Sequence, residues 1–216
     1  ERIVREECKV PWRVYRPGAV VGSSVTGEMD KIDGPYYLFP TIKTIVDTVP
    51  KWLPLLGVEG GKIPIVPVDY VADATIAIAH KPGLDGKAFQ LLQAPQDSTG
   101  KIMEIFFDAA HGPGFAKQFE LPKMPKLVSR GLRETAKLLP LKVAAKEMTK
   151  ATGIPPAALG YITSEVSFDD RQTREALKGT GISCPKLKDY APALWSYWES
   201  HMDYPKPTRG GKAKLA

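Results

Sequence analysis

The stretch IPIVPVDYVADATIAIA, residues 63–79, sets a short apolar run directly in front of a helical period. Ile63 to Val68 is apolar, largely β-branched and only six residues long, which reads as a buried strand. Asp69 then stands where an N-cap belongs, ahead of Val71, Ala72, Ala74, Ile78 and Ala79. A strand that passes straight into a helix is half of a βαβ unit. The same rhythm extends outward on both sides. Val10 to Arg16 is a candidate strand closed by Pro17-Gly18, and Ala88 to Leu92 is another. Between them Asp33 is placed to cap a helix with Pro35 in its first turn and Tyr37, Leu38, Ile42, Ile45, Val46 and Val49 at helical spacing. Ser98 or Thr99 caps a further helix whose face is Ile102, Ile105, Phe106 and Ala109. This alternation predicts an α/β fold with short parallel strands near 11–16, 63–68 and 87–92.

After Gly112 the rhythm changes to proline-punctuated helices. Segments 126–138 and 141–151 read as basic helices, Asp169 or Asp170 caps a short one, and a last helix from about Pro192 to His201 stacks Leu194, Trp195 and Trp198. The change of rhythm divides the chain into an α/β part, 1–111, a mainly helical part, 112–204, and a frayed tail, 205–216. The opening residues 1–7 read as the last turns of a helix cut midway, not as a signal peptide.

Composition narrows the class. With 43% hydrophobic residues in 216, the chain has enough apolar material for a substantial core. No apolar run reaches the roughly 18 residues of a membrane span. Two cysteines, Cys8 and Cys184, have neither zinc spacing nor disulfide density, which points to reduced thiols in the cytoplasm. Between Lys117 and Lys150 nine Lys/Arg stand against three Glu, a surplus equal to the whole formal net charge of +6. Those charges are diluted by Leu, Val and Ala, and no nucleic-acid signature accompanies them. Peripheral contact with an anionic membrane or a phosphorylated carrier through 117–150 fits better, beside the plain alternative of a solvated helical face.

No catalytic set emerges from the residues alone. His80, His111 and His201 are scattered and form no metal pattern, no GxSxG elbow exists, and Gly57, Gly60 and Gly61 read as a turn. The unusual feature is the long loop Arg16 to Tyr37, RPGAVVGSSVTGEMDKIDGPYY. Pro17 and Gly18 end a strand at the edge where ligands bind in open α/β sheets, and Gly18 would let the chain run close to a flat ring. Gly22, Ser23 and Ser24 would offer backbone amides and two hydroxyls.

Three stretches carry a resemblance: VREECKVPWRVYRPGAVVGSSVTGEMDKIDGPYY, KWLPLLGVEGGKIPIVPVDYVADA and FDDRQTREALKGTGISCPKLKDYAPALWSYWE. They resemble the bacterial alcohol-forming fatty acyl-CoA reductases, a branch of the extended short-chain dehydrogenase/reductase (SDR) superfamily. Arg16-Pro17-Gly18 and Pro67 to Ala72 are signals of the superfamily; GEMDKIDGPYY selects the branch. By this resemblance 1–111 would be the rear part of a Rossmann-like domain and 112–204 a substrate-binding region. The resemblance implies that the GxxGxxG phosphate loop, the catalytic Ser and the Tyr-x-x-x-Lys pair lie upstream of Glu1, so this chain would supply binding and no proton-moving residue. It implies NADPH as cofactor, with the backbone of Pro17, Gly18, Ala19 and Val20 along the nicotinamide. Long-chain acyl-CoA is the implied partner, framed by Gly22, Ser23, Ser24, Tyr36 and Tyr37. Alternatives are a sugar-nucleotide epimerase or hydroxysteroid dehydrogenase on the same scaffold, or a non-catalytic binding module.

Overall fold

A computed structural model of the chain describes residues 1–30, 34–120 and 166–201, with the side chains of 56–59 and 116–120 outside the description. The elements run α1 (Arg2–Glu7), β1 (Val14–Pro17), β2 (Ala19–Val21), a 3-10 turn (Gly34–Leu38), α2 (Phe39–Thr48), β3 (Leu55–Glu59), β4 (Ile65–Pro67), α3 (Val68–His80), β5 (Ala88–Leu91), α4 (Thr99–Ala109), β6 (Phe115–Glu120), α5 (Arg171–Leu177) and α6 (Leu187–Ser200). Among the described residues the strand pairs are parallel: β1 with β5, β2 with β4, and β3 with β6.

The strand expected over 10–16 is displaced and divided. It begins at Val14, pauses at Gly18 and resumes at Ala19, because the chain changes partner there. Gly18 N–H donates to the Leu91 carbonyl on β5 at 3.1 Å, whereas the next N–H, from Ala19, donates to the Pro64 carbonyl before β4 at 2.8 Å. Successive amides of an extended chain point in opposite directions, so residues 14–21 run between β5 on one side and β4 on the other. The close approach of Pro64 dictates the residue: a Cβ built on Gly18 would lie 2.4 Å from the Pro64 carbonyl oxygen.

The alternation of side chains builds two layers of core. Val21 and Ile65 turn into one cluster with Phe39, Ile42, Ile102, Phe106, Leu194, Trp195 and Trp198. Val66, Phe89 and Leu91 turn into the other with Tyr70, Ala74, Ile78, Ala176 and Leu177. The sheet is thus covered on both faces, the doubly wound arrangement expected of a parallel sheet. Phe39 is the hub of the first layer: its ring centroid lies 4.8 Å from that of Phe106, 5.1 Å from Tyr36, 5.2 Å from Trp195 and 5.5 Å from Trp198.

Several expected details change. Residues 34–38 form a 3-10 turn and α2 opens at Phe39 with Pro40 in its first turn, where a missing N–H costs nothing; the expected cap Asp33 lies outside the described residues. α3 is preceded by Pro67 as N-cap, so Asp69 sits inside the first turn and does not cap it. Ser98 does cap α4, accepting from Lys101 N–H at 3.3 Å. β3 contains Gly57 within a strand rather than a turn, and β6 is a strand at the start of the region expected to be helical. The last helix starts at Leu187 and carries Pro192 in its interior, with that residue exposed. Its start is tied to the sheet by Gln93, whose side-chain oxygen accepts from Leu187 N–H at 3.1 Å. α5 is tied likewise by Thr173, whose hydroxyl donates to the Gln90 carbonyl at 2.8 Å. The basic helices expected at 126–138 and 141–151, and the tail after 204, lie outside the described residues.

Candidate active-site cleft

A cleft of about 390 Å³ opens beyond the C-terminal ends of β2 and β4, lined by Val20, Val21, Gly22, Ser23, Glu28, Met29, Asp30, Tyr36 and Val68. Of the residues singled out from sequence, Val20, Gly22, Ser23 and Tyr36 meet in it. Pro17, Gly18 and Ala19 form the strand segment leading to it, and Ser24 lies behind its wall. Tyr37 is half-buried beside Tyr36 and does not line the cleft.

The wall is a closed hairpin, and this corrects the expectation of free amides and hydroxyls. Gly22 N–H donates to the Tyr36 hydroxyl at 2.8 Å. Ser23 N–H donates to the Glu28 carbonyl at 2.9 Å, and Gly27 N–H returns to the Ser23 carbonyl at 2.9 Å. The Ser23 hydroxyl oxygen accepts from Val25 and Thr26 N–H at 3.2 and 3.4 Å. Ser24 N–H donates to Asp69 Oδ1 at 3.1 Å, and its hydroxyl donates to Asp69 Oδ2. The hairpin also seats on α6: Gly27, at φ +73°, is buried so closely that a Cβ there would lie 2.1 Å from the Ala193 carbonyl oxygen. Every amide from Gly22 to Ser24 is therefore committed inside the protein.

Burial sets the protonation states. Tyr36 is only 2% exposed, and burial pushes its hydroxyl up to about 12 despite the Gly22 N–H that favours the ionised form. It stays neutral through the ordinary pH range and acts as a hydrogen-bonding group rather than a base. Burial works to raise Asp69, but hydrogen bonds from the Ser24 hydroxyl, Ser24 N–H and the backbone at the head of α3 outweigh it and hold the carboxyl below its usual value. Behind this site burial, reinforced by the Asp69 charge, pushes the Cys184 thiol up to about 12.

These residues can be tested against the nicotinamide cofactor that the sequence suggests. Val20 and Val68, 43% and 46% exposed, give the apolar contact a flat ring needs. Among the described residues, the heads of α3 and α4 offer no counterpart to the pyrophosphate end, which needs unpaired amides at a helix N-terminus. α3 opens with Pro67 and the carboxylate of Asp69, and at the head of α4 Ser98 already takes the Lys101 N–H while Thr99 N–H donates to the Gly61 carbonyl at 2.9 Å. The residues fit the ring end alone. Sequence reasoning missed Val68 and the role of Asp69; the signal was present in Pro67-Val68-Asp69, but an acidic residue after a strand reads first as a cap.

An NAD-binding family model described as male sterility protein matches residues 1–75. Among solved structures, the chain is similar to the terminal R domain from the myxalamid PKS-NRPS biosynthetic pathway, with TM-score 0.59 and 22% identity over 95% of this chain and 48% of that one. It is similar to UDP-glucuronic acid 4-epimerase from Bacillus cereus, solved with UDP-glucuronic acid and NAD, at TM-score 0.53 and 12% identity over 92% of this chain and 48% of that one. A thiolation-reductase di-domain from an archaeal non-ribosomal peptide synthetase gives TM-score 0.52 and 14% identity over 89% and 36%. A search of curated protein sequences returned no match. The chain spans about half the length of the first structures it matches. Its parallel strands, two-sided core and these likenesses together give it a Rossmann-like α/β fold.

Proposed function

We propose that this chain forms the substrate side of an NADPH-dependent fatty acyl-CoA reductase. The observation that carries the reading is the cleft at the C-terminal ends of β2 and β4, the edge at which open parallel sheets take ligands. The branch-selecting stretch GEMDKIDGPYY supports it, because Glu28, Met29, Asp30 and Tyr36 from that stretch line this cleft. When bound, the reduced nicotinamide supplies the hydride that reaches the thioester carbonyl carbon. The chain's own residues hold and orient. Val20 and Val68 flank the ring, Val21 and Met29 contact the acyl chain, and neutral Tyr36 fixes the hairpin that excludes water from the acyl side. The Tyr-x-x-x-Lys pair that would protonate the developing alkoxide belongs, in this reading, to residues before Glu1. The basic run 117–150 meets CoA phosphates or an anionic membrane surface.

The test uses the protein that carries this chain, incubated with a long-chain acyl-CoA and NADPH. Expected are nicotinamide oxidation, free CoA thiol in step with it, and fatty aldehyde or alcohol by mass spectrometry. Absence of thiol release, with interconversion of a UDP-sugar instead, would assign the site to epimerase chemistry.

A further inference from the structure

Asp69 does more than open α3. Its carboxylate accepts from backbone at the head of the helix, behind the N-cap Pro67, yet it is half-buried and also engages a second segment. Both its oxygens bind one residue 45 positions earlier: Oδ1 takes Ser24 N–H at 3.1 Å and Oδ2 takes the Ser24 hydroxyl. Ser24 lies in the Gly22–Glu28 hairpin, whose Gly22 and Ser23 form one side of the cleft. The residue before Asp69 is Val68, which lines the same cleft and is exposed to it. One turn of helix thus supplies part of the cleft with Val68 and grips the hairpin wall with Asp69. The hairpin's other fastenings, Gly22 to Tyr36 and Gly27 against α6, hold its two ends. Asp69 holds its middle.

We infer that Asp69 is a positioning residue, which through Ser24 sets the distance between the hairpin wall and the head of α3 and so the width of the acyl cleft. It touches no reacting atom. A carboxylate suits the task because charge-assisted hydrogen bonds are about twice as strong as neutral ones, and two from one residue fix direction as well as distance. Serine suits the other end because its hydroxyl and its amide point to one acceptor without spanning bulk. The inference rests on the function proposed above for its kinetic arm and stands without it for its structural arm.

The kinetic arm compares the protein with Ser24→Ala, Ser24→Thr and Asp69→Ala variants on acyl-CoA substrates of graded chain width, straight and methyl-branched. Ser24→Ala and Asp69→Ala should raise KM for the straight chain about tenfold, the size of one charge-assisted hydrogen bond. They should leave kcat close to the parent value and narrow the preference against branched chains. Ser24→Thr keeps the hydroxyl and should restore the parent profile. Unchanged KM and chain preference in both alanine variants would overturn the inference, and so would a fall in kcat together with melting temperature that threonine does not rescue. If the parent shows no thiol release from acyl-CoA, the proposed function fails and the second arm decides. In that arm, amide hydrogen exchange over residues 22–28 should quicken selectively in both alanine variants and remain at the parent rate in Ser24→Thr; equal exchange in all four proteins would show that Asp69 holds nothing.

Discussion

Gly18 and Cys184 show how far single residues are decided by what stands next to them. From sequence, Gly18 is small so that a nicotinamide can lie against it. In the structure its missing side chain faces the Pro64 carbonyl oxygen, 2.4 Å from where a Cβ would sit, and both partners are backbone. Gly18→Val should therefore destabilise the fold by at least about 2 kcal/mol, seen as a lower denaturant midpoint with no ligand present. A parent-like midpoint with lost activity would return Gly18 to a purely ligand-facing role. Cys184 gives a prediction with a sign. Its thiol is raised from 9.0 to about 12 by burial and the Asp69 charge, so above pH 9.0 the unfolded chain loses this proton first. The folded state then binds more protons, and stability must fall as pH rises from 9.0 towards 12. Tyr36, raised from 10.0 to about 12, adds to the slope in the upper part of that window. Denaturant melts across pH 9.0 should show this decline, shallower in Cys184→Ala. With a thiol reagent below pH 9.0, exposed Cys8 should react faster than half-buried Cys184, whose rate should rise on unfolding.

At the scale of elements, legibility followed locality. β4, β5 and α4 could be read because each carries its own period and its own punctuation, and Ser98 caps α4 as its sequence suggests. Ser98→Ala should cost about 1 kcal/mol, since it orphans the Lys101 amide; a thermal shift below experimental error would show that water replaces the cap. β3 and β6 were not legible. Leu55 pairs with Phe115, a partner sixty positions away that no local pattern announces, and Gly57 inside β3 reads as a turn when taken alone. The start of α6 was missed because Pro192 looks like a first-turn proline; the helix tolerates it in the interior with the residue exposed and the helix anchored through Gln93. Within the site, Tyr36 and the GEMD segment entered through the resemblance, as parts of an acyl frame, and the bond from Gly22 N–H to the Tyr36 hydroxyl was not legible. Nor was the Asp69–Ser24 link, because a cap and a clamp use the same residue type.

For the whole molecule, one core joins both ends of the described chain: Val21 and Phe39 share it with Leu194, Trp195 and Trp198. The cleft sits where this core meets the C-terminal edge of the sheet, so its described wall is built on packed elements. What it presents is selective. Dinucleotides are held in α/β folds chiefly by their pyrophosphate on unpaired amides at a glycine-rich helix start. Here Pro67 and Asp69 head α3, Ser98 and the Gly61 carbonyl consume the amides heading α4, and Gln93 takes the first amide of α6. The remaining contacts, Val20 and Val68, are apolar and reach only a ring. Residues 1–216 alone should therefore give no saturable heat with NADPH or NADH in titration calorimetry, at ligand concentrations where whole dinucleotide-binding domains saturate. Because the cleft wall is built into the fold, the same chain should still bind a neutral acyl-pantetheine thioester weakly, and that binding should weaken about tenfold in Asp69→Ala. Tight, stoichiometric dinucleotide binding by this chain would mean that the acidic, hairpin-walled cleft itself is the cofactor site, and the acyl group would then have to enter from elsewhere.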